Sequence, residues 1–308
     1  MTNVILPAQP GTVLVVHAHP DDEVFATGAA TIALSDAGWE VVLRVASGGE
    51  AGEDPELGEA EARLVRTRKL ARSCELLGIS EWGWLGEPAQ WVDRGGDGGP
   101  ETVADAESAI LVDAVRRALV EVRPAVVLTV GGDGLTGHPD HVAVGTAVRE
   151  AAWAREVEVL GARLRTADVA AARAELGRLV AQGGVLDGEG PRTGPGRVVG
   201  AGNEGRRIGS GRVVGAGNEI ALVEVSGSGV PSKSSRGERD SGRPVAKDGS
   251  SAAEIEQRRR AALDVYRNGL GSLPLREVVN GQGRLGDSVL LRAVLDVRGW
   301  DRDLFERG

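Results

Sequence analysis

The sequence predicts an α/β fold: a Rossmann-like, mostly parallel sheet with helices on both faces, to which a C-terminal segment returns. Three observations predict it. Short continuous apolar runs, Val13-Leu14-Val15-Val16 and Ala125-Val126-Val127-Leu128-Thr129-Val130, have the character of strands buried on both faces. Segments with helical spacing of apolar residues alternate with such runs. Ionisable residues crowd directly behind the first of these runs and, after seven intervening residues, behind the second, at the carboxyl ends of strands, where open α/β sheets bind their ligands.

Taken in order, residues 12–17 read as the first strand. Asp21 or Asp22 can cap a helix whose apolar positions Val24, Phe25, Ala29, Ile32 and Ala33 recur until Asp36-Ala37-Gly38 stops it. Val41 to Val45 supply a second strand, and the glycine-containing loop 47–52 follows it. Residues 58–77 read as a long helix with Ala62, Val65, Leu70 and Leu77 inward and Gly78 as its C-cap. A short strand is expected around Trp82 to Leu85, a helix from Ala104 to Val122, and the apolar strand 125–130 beyond Pro124. A helix from Val142 to Ala154 leads into a further helical stretch, 155–181.

The composition then changes. Residues 183–251 are rich in Gly, Ser and Arg, contain the repeat Gly-Arg-Val-Val-Gly-Ala-Gly-Asn-Glu at 196–204 and 211–219, and are expected to be a mobile low-complexity insertion. An edge strand at Ile220 to Val225 could interrupt it. This division gives a core at 1–182, the insertion at 183–251, and a C-terminal segment at 252–308 with a helix from Ala252 to Tyr266 and an apolar run, Val289 to Leu295, read as a strand. Gly200-Ala201-Gly202-Asn203-Glu204-Gly205 matches a dinucleotide-binding pattern. No helix can start in the Arg206-Arg207-Ile208-Gly209 that follows, which argues against nicotinamide chemistry.

The bulk numbers narrow the function. A chain of 308 residues with 41% hydrophobic content can bury a sizeable core, and a net charge of -9 argues against a nucleic-acid partner. Cys74 is the sole cysteine, so a metal would be held by histidine and carboxylate. No apolar run approaches the length of a membrane span, and no secretory signal is recognisable at the start, so a cytoplasmic setting is the expectation.

All four histidines fall in two clusters, His17-Ala18-His19-Pro20-Asp21-Asp22-Glu23 and His138-Pro139-Asp140-His141. Hydrolytic zinc sites take three N or O ligands and keep a position for water. His19 and Asp22, three apart across a strand-to-helix turn, can face one point, and His141 can supply the third ligand. Asp21 is then the natural base for the attacking water. His138 can serve the tetrahedral oxygen and the leaving amine, with Asp140 holding its imidazole in the charged form. His17 and Glu23 are assigned supporting roles.

The motifs AHPDDE at 18–23 and HPDH at 138–141 resemble those of the PIG-L or LmbE-like family of zinc-dependent N-acetylglucosamine deacetylases. The resemblance implies the same roles for His19, Asp22 and His141 as zinc ligands, Asp21 as base and His138 as acid or oxyanion partner. It covers roughly residues 12–155 and resumes at Arg298-Gly299-Trp300. Within the family the chain is most similar to the mycothiol-biosynthesis branch, where Arg66 and Asp93 fall at substrate-binding positions. It departs from that branch at Thr136, where a tyrosine is usual, and at Tyr266 and Gly269, where a His and a Gln are usual. The expectation is one zinc per chain, with other divalent cations fitting the same donors. The expected substrate is a small amino-sugar conjugate such as N-acetylglucosaminyl-inositol. A mycothiol-conjugate amidase, a natural-product tailoring deacetylase and a silent metal-containing carbohydrate-binding protein are the alternatives.

Overall fold

The computed structural model describes residues 9–183, 223–226, 250–281 and 286–308. Its sheet starts from β1 (Thr12–His17), whose Val13 and Val15 enter one core and Leu14 and Val16 the other. A strand apolar at every position can only sit between two helical layers. A tight single-turn helix, α1 (Asp22–Phe25), and then α2 (Gly28–Asp36) lead to β2 (Glu40–Val45), parallel to β1. The long α3 (Glu59–Leu77) ends, as its glycine predicts, with Gly78 in a left-handed conformation, and β3 (Glu81–Trp84) completes that side of the sheet.

The chain then crosses over through α4 (Ser108–Val122) and adds β4 (Val126–Val130) on the other side of β1. The short α5 (Gly134–Gly137) and α6 (Pro139–Trp153) precede β5 (Glu158–Ala162), and α7 (Thr166–Gly183) follows it. A strand β6 (Val223–Ser226), the helices α8 (Ala252–Tyr266), α9 (Leu275–Asn280) and α10 (Asp287–Arg298), and a last strand β7 (Arg302–Arg307) make up the rest. The seven strands run β3-β2-β1-β4-β5-β7-β6, parallel except for β7, which is antiparallel to both β5 and β6. Helices α4 and α6 cover one face, and α2, α3, α7, α8 and α10 the other.

Strand order reverses between β1 and β4. The two histidine clusters leave the carboxyl ends of those two strands and therefore share one crevice.

Several expectations need correction. The stretch 155–181 is a strand and a helix: β5 contains Gly161, where a Cβ would come within 2.9 Å of the Gly131 Cα, and that glycine masks the strand pattern. The run Val289 to Leu295 belongs to the helix α10. It is buried on nearly all sides, and a short run of this kind looks the same as a buried strand. The helix expected from Ala104 starts at Ser108, and the one expected from Val142 starts at Pro139, with His138 as its N-cap. β7 was not anticipated. The edge strand expected at Ile220 to Val225 appears as β6. Both copies of the repeat, the glycine pattern at 200–205, and nearly all of the 183–251 segment expected to be mobile lie outside the described residues. No described helix is long and apolar enough to cross a membrane.

Candidate metal centre and active site

The turn after β1 is strained where it carries the acids. Asp21 has φ 103°, ψ -23°, a left-handed conformation that costs a residue with a Cβ on the order of 1–3 kcal/mol. Local hydrogen bonds hold it there. The Asp21 N–H donates to Glu23 Oε2 at 2.9 Å, and the His19 N–H donates to Asp22 Oδ2 at 2.9 Å. The second cluster follows another tight turn, in which Gly134 has φ 66° and a Cβ there would come within 2.8 Å of Val142. That turn aims the Gly134 carbonyl at His141 Nδ1, 2.9 Å away.

Two imidazoles are thereby fixed with their inner nitrogens turned toward each other and toward Asp22. His141 Nδ1–H donates to Gly134, which leaves Nε2 as a lone pair facing Asp22 Oδ1 at 3.1 Å and His19 Nδ1 at 3.1 Å. His19 uses its far nitrogen, Nε2, on Asp140 Oδ2 at 3.1 Å, and its Nδ1 lies 3.9 Å from Asp22 Oδ2. A zinc ion about 2.0–2.1 Å from each tetrahedral donor spaces the donors about 3.3 Å apart, so these separations fit such an ion. Outer-nitrogen hydrogen bonds of this kind orient metal-ligating histidines.

His138 closes the group. Nitrogens of His19, His138 and His141 lie within 4.8 Å of one another, as do donors of His19, Asp93, His138 and Asp140. The second set uses the His19 nitrogen that Asp140 already occupies, so the set built on Asp22 matches the hydrogen bonding better.

The charges agree with a cation. Burial alone would lower His19, but the Asp93 carboxylate, the Asp140 hydrogen bond and Asp22 raise it to about 10. Burial pushes Asp22 up, yet the His141 and His19 imidazoles hold it well below the usual carboxylate range. These carboxylates demand positive charge at this point, and a divalent cation meets that demand as a proton does.

One sequence assignment changes here. Asp140 was expected to hold His138 in its charged form, but its carboxylate goes to His19 Nε2 and to the Ala104 N–H. His138 Nδ1 accepts the Asp140 N–H at 3.3 Å as the N-cap of α6, so its proton resides on Nε2, facing Asp93 Oδ1 at 4.0 Å. Burial and the neighbouring His19 and His141 lower its pKa to about 4, which keeps the ring neutral.

The other named residues divide between the cavity and its walls. A cavity of about 630 Å³ is lined by His19, Asp21, Asp22, Arg66, Asp93 and His138 among others. Asp21, 28% exposed at its side chain, pairs with Arg66 Nη2 at 3.0 Å. Arg66 also donates to the Pro20 carbonyl and lies 3.6 Å from Glu53, so its guanidinium is largely committed within the protein. Asp93 sits 3.7 Å from His19 Nε2 and accepts the Gly95 N–H at 2.8 Å. His17 lies behind the site: its Nε2 meets Thr27 Oγ1 at 3.0 Å, and burial lowers its pKa to about 4. Glu23 is fully buried and accepts hydrogen bonds from Ser73, Tyr266 and the Asp21 N–H.

Sequence reasoning missed the residues that brace α1 from afar. Arg259 donates to the carbonyls of Val24 and Phe25 at 2.8 and 2.9 Å and pairs with Asp303 at 2.8 Å. Asp303 also accepts the N–H groups of Ala29 and Ala30 at the start of α2. The only available signal was the unusual run Arg258-Arg259-Arg260 on a helix with apolar spacing.

The fold and donor set define an α/β protein with a cluster of histidine and carboxylate donors that could hold a metal ion at the switch point of its sheet. Residues 14–152 match the PIG-L family model, described as GlcNAc-PI de-N-acetylase. The 1D-myo-inositol 2-acetamido-2-deoxy-alpha-D-glucopyranoside deacetylase of Kineococcus radiotolerans is 37% identical over 155 residues, 44% of this chain and 43% of that protein. The corresponding deacetylase of Thermobispora bispora is 38% identical over 147 residues, 42% of this chain and 47% of that protein. The chain thus spans less than half the length of these curated relatives. A solved deacetylase of the teicoplanin biosynthesis pathway is similar over 96% of this chain and 98% of its own, with TM-score 0.51 and 16% identity, a likeness of fold.

Proposed function

We propose that this protein is a zinc-dependent hydrolase that removes the N-acetyl group of an amino-sugar conjugate. The observation that carries this reading is the convergence of His19 Nδ1, Asp22 and His141 Nε2 on one point beside Asp21 and the Nε2–H of His138. Two histidines and one carboxylate with an open side are a donor set that suits catalytic zinc. A cation held there supplies Lewis acidity, making water easier to deprotonate and an amide carbonyl easier to attack. Asp21 accepts the proton of the attacking water, and Arg66 keeps its carboxylate aimed. Neutral His138 offers its Nε2–H to the oxygen that gains charge. A neutral imidazole donates a hydrogen bond and not a whole proton, so the proton held by Asp21 is the one that reaches the leaving amine. Asp93 and Arg66 line the cavity in which the sugar would sit.

The names of the relatives support N-acetylglucosaminyl-inositol as the substrate to test first. Thr136 lines the cavity where the resembling branch has a tyrosine, which favours a different conjugate as the second substrate to test. The experiment is acetate release from N-acetylglucosaminyl-inositol by the zinc-loaded protein, with Asp21→Asn alongside. Turnover lost in Asp21→Asn with zinc retained is the expected result. An active Asp21→Asn, or a zinc-loaded wild type inactive on every N-acetyl amino sugar tried, would refute the reading.

A further inference from the structure

We propose that Tyr266 is a positioning residue for Asp21, closing a circuit of four side chains that fixes both the backbone and the carboxylate of that aspartate. The inference rests on the reading of Asp21 as the base.

The circuit can be followed atom by atom. The Asp21 N–H donates to Glu23 Oε2 at 2.9 Å, and the other Glu23 oxygen accepts the Tyr266 hydroxyl at 2.7 Å and Ser73 Oγ at 2.6 Å. The ring of Tyr266 carries the Arg66 guanidinium on its face, 4.9 Å from the ring centre, and Arg66 Nη2 returns to Asp21 Oδ2 at 3.0 Å. Its members come from α1 and the turn before it, from α3 and from α8, so no single element sets the geometry. Tyr266 joins the two halves, touching Glu23 through its hydroxyl and Arg66 through its ring face. It is also the only tyrosine in the sequence.

Each contact restrains a different freedom. Through Glu23, the hydroxyl holds the Asp21 N–H and with it the left-handed backbone at φ 103°. Through Arg66, the ring holds the direction of the carboxylate. Burial beside Glu23 keeps the phenol protonated, since its pKa stands well above the ordinary value, so the hydroxyl remains a donor. A base displaced by about an ångström can lose on the order of a hundredfold in rate while substrate binding is unaffected.

The test separates the two contacts. Tyr266→Phe removes the hydroxyl and keeps the ring; Tyr266→Leu removes both. The expected result is kcat per bound zinc lower by about tenfold in Tyr266→Phe and by about a hundredfold in Tyr266→Leu, with KM within about twofold. Combining Tyr266→Phe with Glu23→Gln should cost little beyond Glu23→Gln alone, because the two act through one contact. A merely structural tyrosine would lower melting temperature and zinc content and leave kcat per bound zinc unchanged, which would overturn the proposal. A crystal structure of Tyr266→Leu decides the matter without any assay: Asp21 leaving its left-handed conformation, or Arg66 turning from it, is expected, and wild-type geometry at both overturns the circuit. Should the wild type turn over no N-acetyl amino sugar, the catalytic reading fails, and the crystal structure still decides the circuit.

Discussion

Arg259 and Asp303 form a fully buried ion pair, 2.8 Å apart, that joins the helix α8 and the last strand to the first two helices of the chain. Asp303 spends its second oxygen on two backbone N–H groups of α2 and also receives Arg298 at 3.1 Å. Removing Asp303 leaves two buried guanidinium charges uncompensated, and removing Arg259 breaks the pair and strips its hydrogen bonds from the Val24, Phe25 and Trp300 carbonyls, each loss costing about 3–5 kcal/mol. Arg259→Leu and Asp303→Asn should each lose stability on that scale in urea titrations. Losses within about 1 kcal/mol would mean that the pair does not brace the fold.

Asp140 gives a second prediction. Because its carboxylate orients His19 and leaves His138 to cap its own helix, Asp140→Ala should weaken zinc binding about 10–100-fold, the usual cost of losing an outer partner of a ligand histidine. Competition with a chelating dye measures this. Zinc affinity equal to wild type would assign Asp140 elsewhere.

Metal removal gives the third. Dialysis against a chelator should abolish activity, and added zinc should restore it. At a free zinc concentration about 1,000 times its dissociation constant the folded state should gain about 4 kcal/mol, seen as a higher melting temperature. A melting temperature indifferent to zinc would argue against a centre built from buried carboxylates.

The thiol of Cys74 gives the fourth. Burial, with the Glu23 and Glu75 carboxylates nearby, pushes its pKa well above the ordinary value, so little thiolate forms at neutral pH. The native protein should react negligibly with a disulfide reagent and release one thiol equivalent in denaturant. Rapid labelling of the native state would contradict the packing around α3.

The grouping of the candidate site was legible because its residues are local in sequence. His19, Asp21 and Asp22 sit on one turn and His138 to His141 on another, and β1 and β4 announce themselves as continuous apolar runs. The supports were not legible. Tyr266 meets Glu23 across 243 positions and Asp303 meets Ala29 across 274, and no spacing rule reaches so far. The role of Asp140 was misread for a related reason: sequence shows that it lies beside His138 but not that its carboxylate turns toward a histidine 121 positions away. β7, with the sequence Arg-Asp-Leu-Phe-Glu-Arg, carries too little apolar pattern to announce a strand, although Leu304 and Phe305 are buried.

The strand order gives the molecule a fixed end and a variable one. Every proposed metal donor hangs from β1 and β4, whereas β5, β7 and β6 are added outward on one side, β7 alone in the opposite sense to the rest. A lineage could lengthen, shorten or replace what it attaches to that outer edge and keep its chemistry, provided β7 still returns Asp303 to the start of α2. That one carboxylate is the toll the outer strands exact from the inner ones.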